Sequence, residues 1–161
     1  MPNKIINHGC WCAKVSGSNP DFAGEPVDDI DKLCKEWSSK RRCNGLIGGS
    51  CPTDVPQATD YFIERFSTGG VNLGSAYSCD NTVNLNDDCL LDSCYIDAYY
   101  AAAIYDYLAM NPGWSEELKT SGECSKLTGG AGSDPFGGSS IPGGHGYMCV
   151  GNAPDVSIER L

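Results

Sequence analysis

The ten cysteines constrain the fold of this chain of 161 residues more than any other feature. A high and even number of cysteines in a small, acidic chain is typical of a disulfide framework formed in an oxidising compartment. The alternative is a metal–thiolate site. Cys10 and Cys12 form a single C-x-C, no C-x-x-C occurs, and this spacing does not fit zinc patterns. We therefore predict a secreted, disulfide-rich domain without a metal.

The charge and the apolar content limit the partners. The formal net charge of -10 makes nucleic acids and anionic membrane surfaces poor partners. No apolar segment of the sequence is long enough to span a membrane. Residues 1–7 lack the apolar run of a leader, so we expect that a leader was removed or that the sequence starts at the mature end.

A first long helix is predicted over Glu25–Cys43. Pro26 suits its first turn, where a missing N–H costs nothing. Acidic residues occupy its first turns and basic residues its last, as the helix dipole favours. The apolar residues at helical spacing, which predict one buried stripe, are Val27, Ile30, Cys34 and Trp37.

A second long helix is predicted over Asp87–Met110. Its candidate caps are Asn86, Asp87 and Asp88. The turn formers Asn111, Pro112 and Gly113 end it. The residues that we expect to share its apolar face are Leu91, Cys94, Ala98, Ala101, Tyr105 and Leu108.

The remaining segments are less regular. Ala58–Phe66 fits either a short helix or a strand, and the glycines of Ser67–Ser78 are compatible with a small hairpin. Thr128–Gly146 is a low-complexity loop or extended tail, which we expect Cys149 to tie back. His145 lies in this tail and is predicted to be an exposed loop histidine.

Two motifs together resemble the secreted phospholipase A2 family. The first is HGCWC followed by PVDDIDKLC, and the second is CYIDAYYAA at residues 94–102. The resemblance implies a mainly α, disulfide-rich fold with two long antiparallel helices, a small β-hairpin and long loops. The domain would span residues 1–128, and residues 129–161 would form a glycine-rich C-terminal tail.

The same resemblance predicts an inactive site. The family's catalytic histidine falls on Trp37 and its calcium-binding aspartate on Ser38, whereas its second catalytic aspartate matches Asp97. An indole only donates hydrogen bonds, and serine lacks the carboxylate that calcium needs. His8 cannot be assumed to reach Asp97. We therefore predict no catalysis, no cofactor and no metal, with Ala13–Glu25 an ordinary surface loop.

Asp97 needs another explanation in a site without catalysis. A buried carboxylate requires a hydrogen-bond donor. In the family geometry the Trp37 indole would stand where the histidine stood, so we predict that it donates to a mostly buried Asp97. The hydroxyl of Tyr61 or Tyr77 is the competing donor.

The resemblance also implies how the cysteines pair. The family pattern gives Cys12–Cys34, Cys51–Cys89 and Cys79–Cys94. Cys10 would reach a late cysteine, of which Cys124 fits best, and Cys43–Cys149 would be the last bridge.

These features predict a non-catalytic extracellular structural or interaction protein, such as a scaffold, matrix or filament subunit. It would associate with itself or with another extracellular protein. One alternative is a module that binds lipid or another apolar ligand in the old substrate channel, although the acidic charge does not favour lipid. Others are a secreted hydrolase and a calcium-binding matrix protein that uses the acidic stretch Asn84–Asp92.

Overall fold

The computed structural model shows a mainly helical protein with five disulfides. It describes residues 5–12, 24–46, 48–51, 61, 64–65, 77–80, 82–119, 123–124, 147–151 and 157–160. Within these ranges no helix has the length and apolar content needed to cross a membrane. The chain divides into two compact units. Unit 1 comprises Met1–Ser38 and Asn111–Ile141, and unit 2 comprises Ser39–Met110 and Pro142–Leu161.

Helix α1 spans Asp29–Asn44. It begins later than the predicted start at Glu25 and Pro26, because two side chains cap it. Asp28 Oδ1 accepts the Asp31 N–H at 2.9 Å, and Asp31 Oδ2 reaches back to the Val27 N–H at 3.0 Å. This pair is close to a capping box and holds Val27 and Asp28 outside the helix.

The buried stripe of α1 agrees only in part with the prediction. Ile30 and Cys34 are fully buried, whereas Val27 and Trp37 are half-buried. The sequence pattern missed Asp31, which is also fully buried. A buried carboxylate on this helix shows that polar bonds as well as apolar contacts position it.

Two further helices follow in unit 2. They are α2 at Thr82–Leu85 and α3 at Asp88–Met110. The side chain of Asp87 caps α3, because its Oδ1 accepts the N–H groups of Cys89 at 2.9 Å and Leu90 at 3.3 Å. Asp87 is one of the three candidate caps, and the predicted end at Asn111 is confirmed.

The buried face of α3 differs from the predicted one. Tyr105 was expected inside but is 37% exposed. The buried residues are Ser93, Cys94, Ile96, Tyr100 and Ile104. Apolar residues occur all round this helix, so their spacing fits more than one stripe, and packing selects the stripe that contains Ile96 and Ile104.

Two small antiparallel sheets complete the described structure. Strands β1 at Glu64–Arg65 and β2 at Tyr77–Ser78 pair with each other, so the strand alternative holds for residues 64–65. Strands β3 at Tyr147–Val150 and β4 at Ser157–Arg160 form the second sheet. The hairpin predicted within Ser67–Ser78 lies outside the described residues apart from β2.

Other predictions also fall outside the described part of the chain. These are the tail Thr128–Gly146 with His145, and the loop Ala13–Glu25 up to its last two residues. The division into residues 1–128 and 129–161 stays a prediction.

All ten cysteines are paired, and each bridge lies within one unit. The bridges of unit 1 are Cys10–Cys124 and Cys12–Cys34. The bridges of unit 2 are Cys43–Cys149, Cys51–Cys89 and Cys79–Cys94. These are the pairs that the resemblance implies. Their sequence separations run from 15 to 114 residues, so each bridge stabilises the fold by about 3–5 kcal/mol in the chain-entropy treatment.

Candidate functional site

A connected group of chemistry-bearing side chains lies in unit 1. It consists of His8, Asp28, Asp31, Trp114 and the backbone of Glu117, and we call it the His8 cluster. Its members come from the N-terminal segment, the start of α1 and the segment that follows α3. The chain therefore brings together three segments that are distant in sequence.

Gly9 gives the N-terminal segment its close approach to α1. Its φ is +57°, and a Cβ atom on Gly9 would collide with the carboxylate of Asp31. The backbone can therefore turn over Asp31, whose two oxygens accept the N–H groups of Cys10 at 2.9 Å and Trp11 at 2.7 Å. With the bond from Val27, the fully buried carboxylate has three backbone donors. These bonds offset the cost of burying it.

His8 is fully buried and uses both of its ring nitrogens. Its Nδ1 accepts the backbone N–H of Glu117 at 2.7 Å. The proton of the neutral ring is therefore on Nε2, which lies 2.8 and 2.9 Å from the two carboxylate oxygens of Asp28 and donates to them. The tautomer of His8 is thus fixed by its two partners.

Asp28 is the common acceptor of the cluster. It accepts hydrogen bonds from His8, from the backbone N–H of Asp31 and from the Trp114 indole, the last at 3.0 Å. Burial raises the pKa of Asp28, but the bonds from Asp31, His8 and Trp114 outweigh it and hold that pKa below its ordinary value of 3.8. Asp28 therefore stays ionised at neutral pH.

The His8 cluster resembles a catalytic His–Asp pair in composition, but its geometry is that of a structural clamp. A general base needs a nitrogen that can reach the proton of a substrate or water. The Nδ1 atom of His8 already accepts from the chain's own backbone, and the ring has no exposed surface. The Trp114 ring packs edge-on against it, with centroids 4.8 Å apart.

The residues at the family's reactive positions lie on the two long helices. Trp37 and Ser38 are consecutive and half-buried on α1, and Asp97 is half-buried on α3. The hydroxyl of Tyr61 donates a hydrogen bond to Asp97, which confirms the tyrosine alternative. Burial first, and then this bond and the charge of Asp97, raise the pKa of Tyr61 well above its ordinary value, while Arg41 opposes the rise.

The sequence pattern did not single out the His8 cluster. Asp28 and Asp31 were interpreted as charges that suit the helix dipole, although their spacing at a helix start also indicates reciprocal capping. Trp114 stands alone in a polar stretch and is 86 residues from its acceptor Asp28. No local pattern connects such distant positions.

Comparison with known proteins adds no further identification: no family model, curated protein or solved structure matches this chain. The resemblance to secreted phospholipase A2 therefore stays a hypothesis that rests on two motifs. Within the described ranges, no group of three or more His, Cys, Asp or Glu residues is placed to hold a metal ion.

Proposed function

We propose that the protein is a non-catalytic extracellular structural or interaction protein, a subunit of a scaffold, matrix or filament. The observation that carries this proposal is the state of His8. It is one of two histidines in the chain. Both nitrogens of its buried ring form hydrogen bonds within unit 1. The residue type that most often serves as a general base is here a structural element.

The disulfides support a durable extracellular role. Five bridges in 161 residues suit a compartment where thiols are oxidised. A fold stapled in this way tolerates changes of its surface, which is useful in a subunit that must contact neighbours. The described residues show no free cysteine that could act as a nucleophile.

The finer part of the proposal is an inactive phospholipase A2-like domain. Its support is the pair of motifs, the five cysteine pairs that they imply, and the Tyr61–Asp97 bond at the matching aspartate. With Trp37 and Ser38 at the reactive positions, neither a base nor a calcium carboxylate is supplied there.

A phospholipid hydrolysis assay with calcium tests the absence of catalysis. We expect no ester cleavage by the pure protein on zwitterionic or anionic vesicles. A Trp37→Ala variant is the control, because it alters the reactive position. Cleavage by the parent protein that is lost in this variant would overturn the proposal.

Particle size tests the structural role. We expect native particles larger than the 17.1 kDa chain by light scattering or negative-stain imaging. Replacing Thr128–Gly146 by a Gly/Ser spacer of equal length keeps Cys149 in place, and we expect smaller particles from it. A native protein that is monomeric and captures no extracellular partner would contradict the proposal. If the spacer variant forms particles of the same size as the parent, Thr128–Gly146 takes no part in the assembly.

A further inference from the structure

One contact in the His8 cluster cannot survive the addition of a proton. The Nδ1 atom of His8 accepts the Glu117 N–H at 2.7 Å, and it is the only ring nitrogen free to take a second proton. A protonated Nδ1 would point its own hydrogen at the Glu117 N–H. Two donors cannot share one hydrogen bond, so protonation of the ring and this contact exclude each other.

We propose that His8 is a pH-sensitive latch that holds residues 114–119 against the N-terminal segment at neutral pH and releases them on acidification. Imidazole is the side chain whose ordinary change of charge lies closest to neutral pH. The proton comes from solvent and is taken up by Nδ1, and the bond that breaks is Glu117 N–H to Nδ1. This inference does not depend on the proposed function.

The charges around His8 determine which of its two contacts is lost. At the start of α1, the carboxylate of Asp28 faces the His8 ring. Asp31 lies behind Gly9, and its oxygens accept hydrogen bonds from backbone N–H groups. From the segment after α3 come Glu117 and Lys119, whose side chains pair with each other at 2.8 Å. An imidazolium gains a full ion pair with Asp28, so that contact persists and the release falls on the Glu117 side.

Backbone bonds also join the released segment to the N-terminal segment. Beside the His8 contact, the structure records the Gly9 N–H to Glu117 oxygen bond at 2.7 Å and the Lys119 N–H to Asn7 oxygen bond at 3.4 Å. Trp114 packs against the ring that changes charge. The Cys10–Cys124 bridge keeps the segment tethered after release. The opening is therefore local and reversible.

Hydrogen–deuterium exchange of the full, disulfide-intact protein tests the latch. After correction for the intrinsic pH dependence of exchange, we expect residues 114–119 to be less protected at about pH 5 than at about pH 7.5. One linked proton allows a loss of up to about tenfold for each pH unit. Residues of α3 should keep their protection, because they do not depend on His8.

Two variants separate His8 from the rest of the chain. His8→Asn offers an acceptor near the position of Nδ1 and cannot titrate, so its protection at 114–119 should be the same at both pH values. His145→Asn removes the other histidine and should behave as the parent does. The proposal is overturned if the parent keeps its protection at acidic pH, or if His8→Asn loses it to the same extent.

A measurement on the parent alone keeps the test decisive if His8→Asn does not fold. Nitrogen-15 NMR distinguishes an unprotonated from a protonated Nδ1. We expect the His8 Nδ1 signal and the Glu117 amide signal to change with one common midpoint. Separate midpoints, or a Glu117 amide that does not move when Nδ1 is protonated, would refute the latch.

Discussion

The buried Asp31 of unit 1 and the more exposed Asp97 and Asp80 of unit 2 are satisfied in different ways. In unit 1 the fully buried Asp31 accepts three backbone N–H groups, which the fold fixes in place. In unit 2 the half-buried Asp97 accepts the hydroxyl of Tyr61, and the exposed Asp80 accepts that of Tyr95. A backbone donor left without its acceptor stays buried, whereas a side-chain hydroxyl can turn towards water.

This difference indicates which substitutions should lower the free energy of unfolding most in each unit. Unit 1 concentrates its polar bonds at a few buried atoms, so single substitutions there should be costly. Unit 2 has three disulfides and a long apolar helix, and its described carboxylate–hydroxyl pairs are partly solvated. Substitutions at those pairs should cost less, because water replaces part of each lost bond.

The largest effect is expected from Asp31→Asn. The amide keeps the shape but has one acceptor oxygen in place of two. Its NH₂ group would face either the Trp11 N–H or those of Cys10 and Val27. We expect the free energy of unfolding to fall by about 3–5 kcal/mol. Urea denaturation without reductant measures it.

Asp97→Asn is the matched control in unit 2. The Tyr61 hydroxyl can still donate to the amide oxygen, so we expect a loss of about 1 kcal/mol or less. Equal losses in the two variants would show that the proposed contrast between backbone and hydroxyl donors is wrong.

A smaller effect is expected from Gly9→Ala. The methyl group would meet the Asp31 carboxylate, and the φ of +57° is unfavourable for alanine. Together these should lower the free energy of unfolding by about 2–3 kcal/mol. Gly113→Ala is the control, since a Cβ atom at that position has no other atom within 4 Å. A Gly9→Ala protein as stable as Gly113→Ala would contradict the close approach over Asp31.

Local features of this fold could be predicted from the sequence, and distant contacts could not. The Asp87 cap and the end of α3 at Asn111 depend on a few neighbouring residues. The end was predicted, and Asp87 was one of three candidate caps. The exposure of Tyr105 depends on which of several apolar stripes packs inward. The helical spacing therefore predicted a buried Tyr105, and this prediction was wrong. The bond from Trp114 to Asp28 joins positions 86 residues apart, and nothing local to either residue encodes it.

The cysteine pairs are an intermediate case. Their number indicates a framework, but ten cysteines allow very many pairings, so number alone does not select one. The pairs came from the resemblance of two motifs to a family.

The start of helix α1 was predicted too early, because Pro26 suits a first turn. The side chains of Asp28 and Asp31 instead cap the helix two residues later.

A smaller effect than that of Gly9→Ala is expected from Tyr61→Phe, which removes the hydroxyl that donates to Asp97. Asp97 is half-buried, so water replaces part of the lost bond, and the free energy of unfolding should fall by about 1 kcal/mol at neutral pH. The pKa of Tyr61 is raised by burial and by Asp97, so the folded protein holds this proton more tightly than the unfolded chain. The contribution of Tyr61 is therefore complete below about pH 10 and is lost as the pH rises through the folded-state pKa.

Ultraviolet titration and urea denaturation check this last prediction together. The parent should contain a late-ionising tyrosine that Tyr61→Phe removes from the absorbance curve. Tyr95→Phe also loses a hydroxyl bonded to a carboxylate, but its acceptor Asp80 is exposed, so its stability should change by no more than a few tenths of a kcal/mol. If Tyr95→Phe costs as much as Tyr61→Phe, burial does not set the strength of these pairs, and the contrast between the two units loses its physical basis.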